Sequence, residues 1–151
     1  MTNPLFNSEY IEQQLAEANY EPALGIRLAR LSTMTSGGQE VTLAVVRLDP
    51  GKQLIPHLHE MDGEICVPLS EGVLTLGTAQ KDEEGNYKTD SEGKILVDWE
   101  KPIQLIPGSP IQILPAIAHH LLAPADQPLT VFFFLPTTHL GEDRKFVTYP
   151  N

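Results

Sequence analysis

Apolar residues recur at every second position over much of the chain, the spacing of a strand with one buried face. Leu24, Ile26 and Leu28 alternate ahead of a Ser36-Gly37-Gly38 turn, and Val41, Leu43 and Val45 alternate beyond it, which predicts two paired strands. Asp49-Pro50-Gly51 then interrupts the ladder, because proline has no amide to donate and the glycine behind it favours a turn. Strand texture returns at 64–69 and 73–79, joined through Ser70-Glu71-Gly72. It returns again at 95–99, 103–106, 111–114, 119–123 and 129–135, with Pro102, Pro107-Gly108, Pro110 and Pro124 at the breaks. Many short strands with turn residues between them and little helix predict an all-β sandwich or barrel.

Three segments depart from that texture. Asn7 can cap a helix reaching about residue 19, with Ile11, Leu15 and Ala18 on one face and Phe6 placed to pack on Ile11. This divides the chain into a helical extension, 1–23, and a barrel domain, 24–151. Residues 80–94 are the most hydrophilic stretch; Glu84-Gly85-Asn86 and Ser91-Glu92-Gly93 carry turn chemistry, so an exposed hairpin or loop is expected there. At 129–135 the excess is apolar, with Phe132 and Phe134 on one face and Val131, Phe133 and Leu135 on the other. A barrel wall needs one apolar face, so the other requires a cover: the helix, the segment after Pro136, or a second subunit. The stripe on the helix is narrow, and a homodimer is the expected solution.

Charge narrows the partners. Twenty acidic residues against ten basic ones give a net charge of −10 over 151 residues, which leaves no basic patch for nucleic acid. The N-terminal residues lack the charge and apolar run of a signal peptide, and no stretch is long and apolar enough to span a bilayer, so a soluble, cytoplasmic protein without a membrane partner is expected. The single cysteine, Cys66, allows no intrachain disulfide and reads as a small buried hydrophobe on the same strand face as Glu64.

Candidate chemistry concentrates between Gly51 and Gly72. His57 and His59, two apart on a strand, point the same way, and a chain reversing at Asp62-Gly63 brings Glu64 back beside them. Imidazole with carboxylate suits a first-row transition metal rather than calcium or magnesium. His139, in the polar segment after Pro136, reads as a surface residue, and Trp99 as core.

The spacing of Gly51, His57, His59 and Glu64 resembles the first motif of the cupin family, with Gly72 one residue later than the family's closing glycine. Pro115-Ala116-Ile117-Ala118-His119-His120 resembles the second motif, a proline followed five positions later by the fourth ligand. It departs from the pattern in Ile117 where the family prefers glycine, in Pro124 where asparagine is frequent, and in one extra residue between Gly108 and Pro115.

The resemblance, covering about residues 40 to 136, implies a single-domain cupin jelly-roll β-barrel with a short N-terminal helix. It implies one divalent transition metal ion per chain (Fe, Ni, Mn, Cu or Zn) held by His57, His59, Glu64 and His120. Adjacent strand residues face opposite sides, so His119 and His120 cannot both be ligands, and the motif selects His120. Such a centre implies a dioxygenase-like oxygenase acting on a small chelating organic substrate, with Glu64 as ligand in one state and catalytic base in another. An isomerase or lyase on a sugar or oxo acid is the alternative, and a non-catalytic protein binding a metal or small ligand is another. Arg27 and Arg47 are candidate clamps for an anionic substrate, and Gln53 and Gln112 candidate partners behind the imidazoles.

Overall fold

The computed structural model describes residues 7–141 and 143–151. The one α-helix among the described residues, α1 (Ser8–Glu17), begins where the Asn7 side chain accepts from the amides of Glu9 and Tyr10, as the capping residue predicts. Phe6, expected to pack on Ile11, lies outside the described residues.

Twelve strands follow. The first six are β1 (Tyr20–Glu21), β2 (Ile26–Ser36), β3 (Gln39–Leu48), β4 (His57–Leu58), β5 (Glu64–Pro68) and β6 (Val73–Ala79). The others are β7 (Val97–Trp99), β8 (Ile103–Gln104), β9 (Ile111–Ile113), β10 (Ile117–Leu122), β11 (Leu129–Pro136) and β12 (Lys145–Phe146). One sheet runs β1-β2-β3-β11-β5-β9, the other β12-β4-β10-β6-β7, with β8 also on β6. The chain passes repeatedly between the two sheets, giving a jelly-roll sandwich whose paired strands are all antiparallel. Gly37 and Gly38, both at positive φ, make the tight β2–β3 hairpin that their dipeptide demands. Gly63 matters for a different reason: a Cβ there would sit 2.8 Å from the Ile113 carbonyl, so only glycine lets the β4–β5 turn approach β9.

The core lies between the sheets, where Ile26, Val46, Leu48, Cys66, Leu74, Leu121, Leu129, Val131 and Phe133 pack together. Cys66 is fully buried there, and burial pushes its thiol pKa up to about 12, so it is an inert packing residue. The outer face of β11 is covered in part by α1, whose Ile11 and Leu15 pack on Phe132, Val45, Leu43 and Ala29. Phe134 and its ladder neighbour Ile65 stay 37% and 42% exposed beside that helix.

The hydrophilic stretch at 80–94 has more order than its composition suggests. Asp82 and Asp90 each accept two backbone amides across a turn, and Lys88 between them bonds through its backbone to both Gln80 and Leu96. Tyr87 leans back over the second sheet and donates its hydroxyl to Glu60 at 2.9 Å. The C-terminal segment, expected to be a polar tail, forms a 3₁₀ turn (Thr137–Leu140) and then β12, which pairs with β4 and sets Phe146 opposite His57. No helix among the described residues is long and apolar enough to cross a membrane.

Candidate metal centre

Three strands and one turn bring five ionisable side chains to one end of the core. β4 supplies His57, and its extension supplies His59; β5 opens on Glu64; β10 supplies His119, whose Cα stands directly across the ladder from His57. His139 arrives from the 3₁₀ turn. All five are buried. His57, His59 and His119 offer ring nitrogens within 4.8 Å of one another, and so do His59, Glu64 and His139 with their ring nitrogens and carboxylate oxygen.

The hydrogen bonds behind the rings orient them. His57 Nδ1–H donates to the Ile55 carbonyl at 2.8 Å, His119 Nδ1–H to the Ile117 carbonyl at 3.3 Å, and His59 Nδ1–H to the Asp143 carbonyl. Backbone carbonyls can only accept, so each ring carries a proton on Nδ1 and presents Nε2 to the cluster. There the Nε2 atoms of His119 and His59 meet Glu64 at 3.3 Å (Oε1) and 3.7 Å (Oε2). Whenever the rings are neutral, their Nε2 lone pairs and the carboxylate face one another as acceptors, and a cation between them removes the repulsion. Imidazoles and a carboxylate are donors that suit a transition metal ion, and the two overlapping groups, His57, His59 and His119, and His59, Glu64 and His139, could each hold one.

Electrostatics favour the same state. Burial, then the neighbouring His119 and His59, hold the His57 pKa well below the usual imidazole value, and burial brings His59 down to about 4. Burial pushes the Glu64 carboxyl up, but His119, the His139 hydrogen bond and His59 together hold it below its usual value. A His57 and a His59 that stay neutral beside an ionised carboxylate are what metal binding requires.

His120 is a correction. It was expected to complete the ligand set, yet it points out of the opposite face of β10, where its Nε2 bonds Gln53 Oε1 at 2.8 Å and its ring stands edge-on to Trp99 and Tyr149. Strand parity explains this: His119 shares its face with Leu121 of the core, while His120 shares its face with Ala118, which packs with Leu58, Ile95 and Val147 outside the second sheet. The turn sets the parity. Ala116 takes φ +60°, the left-handed conformation that suits glycine, one residue earlier than the motif's glycine position at Ile117, and every position after it moves up by one.

His139 is the second correction. Read as a surface residue, it is buried, stacks on His59 with ring centroids 3.9 Å apart, and lies with Nδ1 3.1 Å from Glu64 Oε2. Its Nε2 is buried without a hydrogen-bond partner, the nearest acid being Asp143 Oδ2 at 3.7 Å. Asp143 is pinned in turn by the amides of Glu60 and Met61. The candidate substrate clamps lie elsewhere: Arg47 pairs with Glu12 and bonds Thr130, and Arg27 is exposed with a bond to the Ala18 carbonyl. Gln53 serves His120 rather than a clustered ring, and Gln112 is exposed on β9. Beside the cluster is a cavity of about 40 Å³ walled by Leu24, Ile26, Leu54, Phe133 and Leu140, with Arg144 as its one basic lining residue.

No protein-family model and no curated protein sequence matches the chain. Solved structures do. A cupin-2 domain protein from Rhodospirillum rubrum superposes with TM-score 0.58 at 16% identity, covering 87% of this chain and 73% of the other. A cupin-like protein from Thermotoga maritima gives TM-score 0.54 at 18% identity, with 81% and 75% covered. A structure of oxalate oxidase gives TM-score 0.54 at 20% identity, covering 96% of this chain and 64% of that one. With two antiparallel sheets around one core, a histidine and glutamate cluster at one end of it, and these structures folding the same way, the chain has the fold of a single-domain cupin.

Proposed function

We propose that this cupin is a metal-dependent oxygenase acting on a small chelating organic molecule. The observation that carries the proposal is the set of three buried rings, each giving Nδ1–H to a backbone carbonyl and presenting Nε2 toward or beside an ionised Glu64. A divalent transition ion held by His57, His59, Glu64 and His119 would supply Lewis acidity and open positions at which dioxygen and a chelating substrate could meet. The protein's own groups do the rest. His139 Nδ1–H donates to Glu64 Oε2, which keeps that carboxylate ionised and leaves Oε1 facing His119. The leucines, Ile26 and Phe133 of the wall exclude water.

Oxalate oxidase, among the folds that match, is an oxidase by name, and at 20% identity it lends the fold alone. The test is oxygen uptake by the protein as purified, with its metal measured, against a panel of chelating enols, thiols and oxo acids. Consumption that stops on chelation is expected. A flat electrode trace with turnover under nitrogen would overturn the proposal in favour of a lyase or isomerase, and ligand binding without any turnover would leave a binding protein.

A further inference from the structure

The two candidate ligand groups share His59, so a single ion has to choose between them. His139 belongs to the second group alone, and it touches two of the residues proposed to hold the ion. Its Nδ1 lies 3.1 Å from Glu64 Oε2, and its ring stacks on His59 with centroids 3.9 Å apart and planes 4° from parallel. The lone pair of a ring nitrogen lies in the plane of its ring, so two rings stacked face to face do not aim theirs at one ion. The bond to Glu64 is also the one hydrogen bond that His139 makes among the described residues, its Nε2 being buried without a partner. The two oxygens of the carboxylate therefore have different surroundings. Oε1 stands 3.3 Å from His119 Nε2, while Oε2 is 3.7 Å from His59 Nε2 and nearer to His139.

We infer that His139 is a positioning residue, which acts on the centre from behind two of its ligands and is not a ligand itself. It holds Glu64 by Oε2 and His59 by its ring face, and it leaves Oε1 as the oxygen turned to the ion. The inference rests on the metal reading and bears on how much of the ion stays open. A carboxylate that gives both oxygens takes one more position of an octahedral ion than a carboxylate that gives one, and open positions are what dioxygen and a chelating substrate need. By engaging Oε2, His139 keeps that position free. Its place in the site matches that of the carbonyls behind the rings: His57, His59 and His119 are each oriented by a bond to a backbone oxygen, and Glu64 is oriented by an imidazole.

Long-range proton–nitrogen correlation spectra of the zinc-loaded protein read which ring nitrogens hold a proton and which hold the metal. Zinc on Nε2 of His57, His59 and His119, with a proton on His139 Nδ1, is expected. Zinc on His139 would overturn the inference and leave the metal reading standing, whereas zinc on none of these rings would overturn both. Two variants test the hold on Glu64, with folding checked by circular dichroism. His139→Phe keeps a ring against His59 and loses the N–H; His139→Gln keeps an N–H and loses the ring. Infrared difference spectra between metal-free and zinc-loaded protein read whether a carboxylate gives the ion one oxygen or two, from the separation of its symmetric and antisymmetric stretches. The one-oxygen signature is expected in the wild type and in His139→Gln, and the two-oxygen signature in His139→Phe. Each variant should lose about ten- to a hundredfold in zinc affinity, the cost of changing a residue behind a ligand. A two-oxygen signature in the wild type, a one-oxygen signature in His139→Phe, or wild-type affinity in both variants would overturn the inference. The wild-type spectra carry the test alone if neither variant folds.

Discussion

The two adjacent histidines of β10 give the sharpest test of the site. His119→Ala removes one of the inward Nε2 donors, 3.3 Å from Glu64 Oε1, and leaves two imidazoles and the carboxylate. Changing a partner that merely orients a ligand costs about ten- to a hundredfold in metal affinity. Losing the ligand itself should exceed that, by more than about a hundredfold, or roughly 2.7 kcal/mol. His120→Ala removes a ring on the other face of the strand, along with its bond to Gln53. Gln53 is exposed and can turn to water, so the cost is roughly 1 kcal/mol of folding stability and no metal donor. Competition against a chromophoric chelator, with cobalt or zinc as the titrant, reads both affinities. The expected result is a large loss at 119 and less than about a threefold change at 120, with the 120 variant melting slightly lower. Equal losses, or the larger loss at 120, would refute the assignment and with it the parity argument.

Acid should destabilise the metal-free protein: His59 titrates at about 4 when folded against 6.5 when free, so the unfolded chain takes up its proton first. Stability is then full above about pH 6.5 and falls by roughly 3 kcal/mol toward pH 4 from this group alone; urea midpoints that stay level across that window would refute it. Ala116→Gly should raise the unfolding free energy by about 1 kcal/mol, because Ala116 sits at φ +60° where a Cβ is strained; an unchanged melting curve would place the strain elsewhere. The strip of Phe134 and Ile65 left beside α1 is proposed as part of a homodimer face, so sedimentation should show twice the chain mass of 16.7 kDa and Phe134→Asp should return it to one; a single-chain species at every concentration would refute the dimer.

Sequence alone determined what depends on neighbours in the chain. Alternation located the strands, because burial of one face imposes a period of two wherever a strand packs. His57, His59 and Glu64 were legible for the same reason, since a strand, a glycine turn and the next strand bring them together within eight residues. The cover over Phe132 was half legible: the stripe of Ile11 and Leu15 was visible, but not that it reaches Leu43 and Val45 as well. The choice between His119 and His120 turned on one backbone conformation, at an alanine that gives no sign of it. His139, Asp143 and Arg144 could be placed only by tertiary structure. His139 meets Glu64 across 75 positions and Asp143 meets His59 across 84, through a turn and a two-residue strand too short to carry a period. What brings them in is β12 pairing with β4, a contact whose partner is set by the closed fold and not by any local pattern.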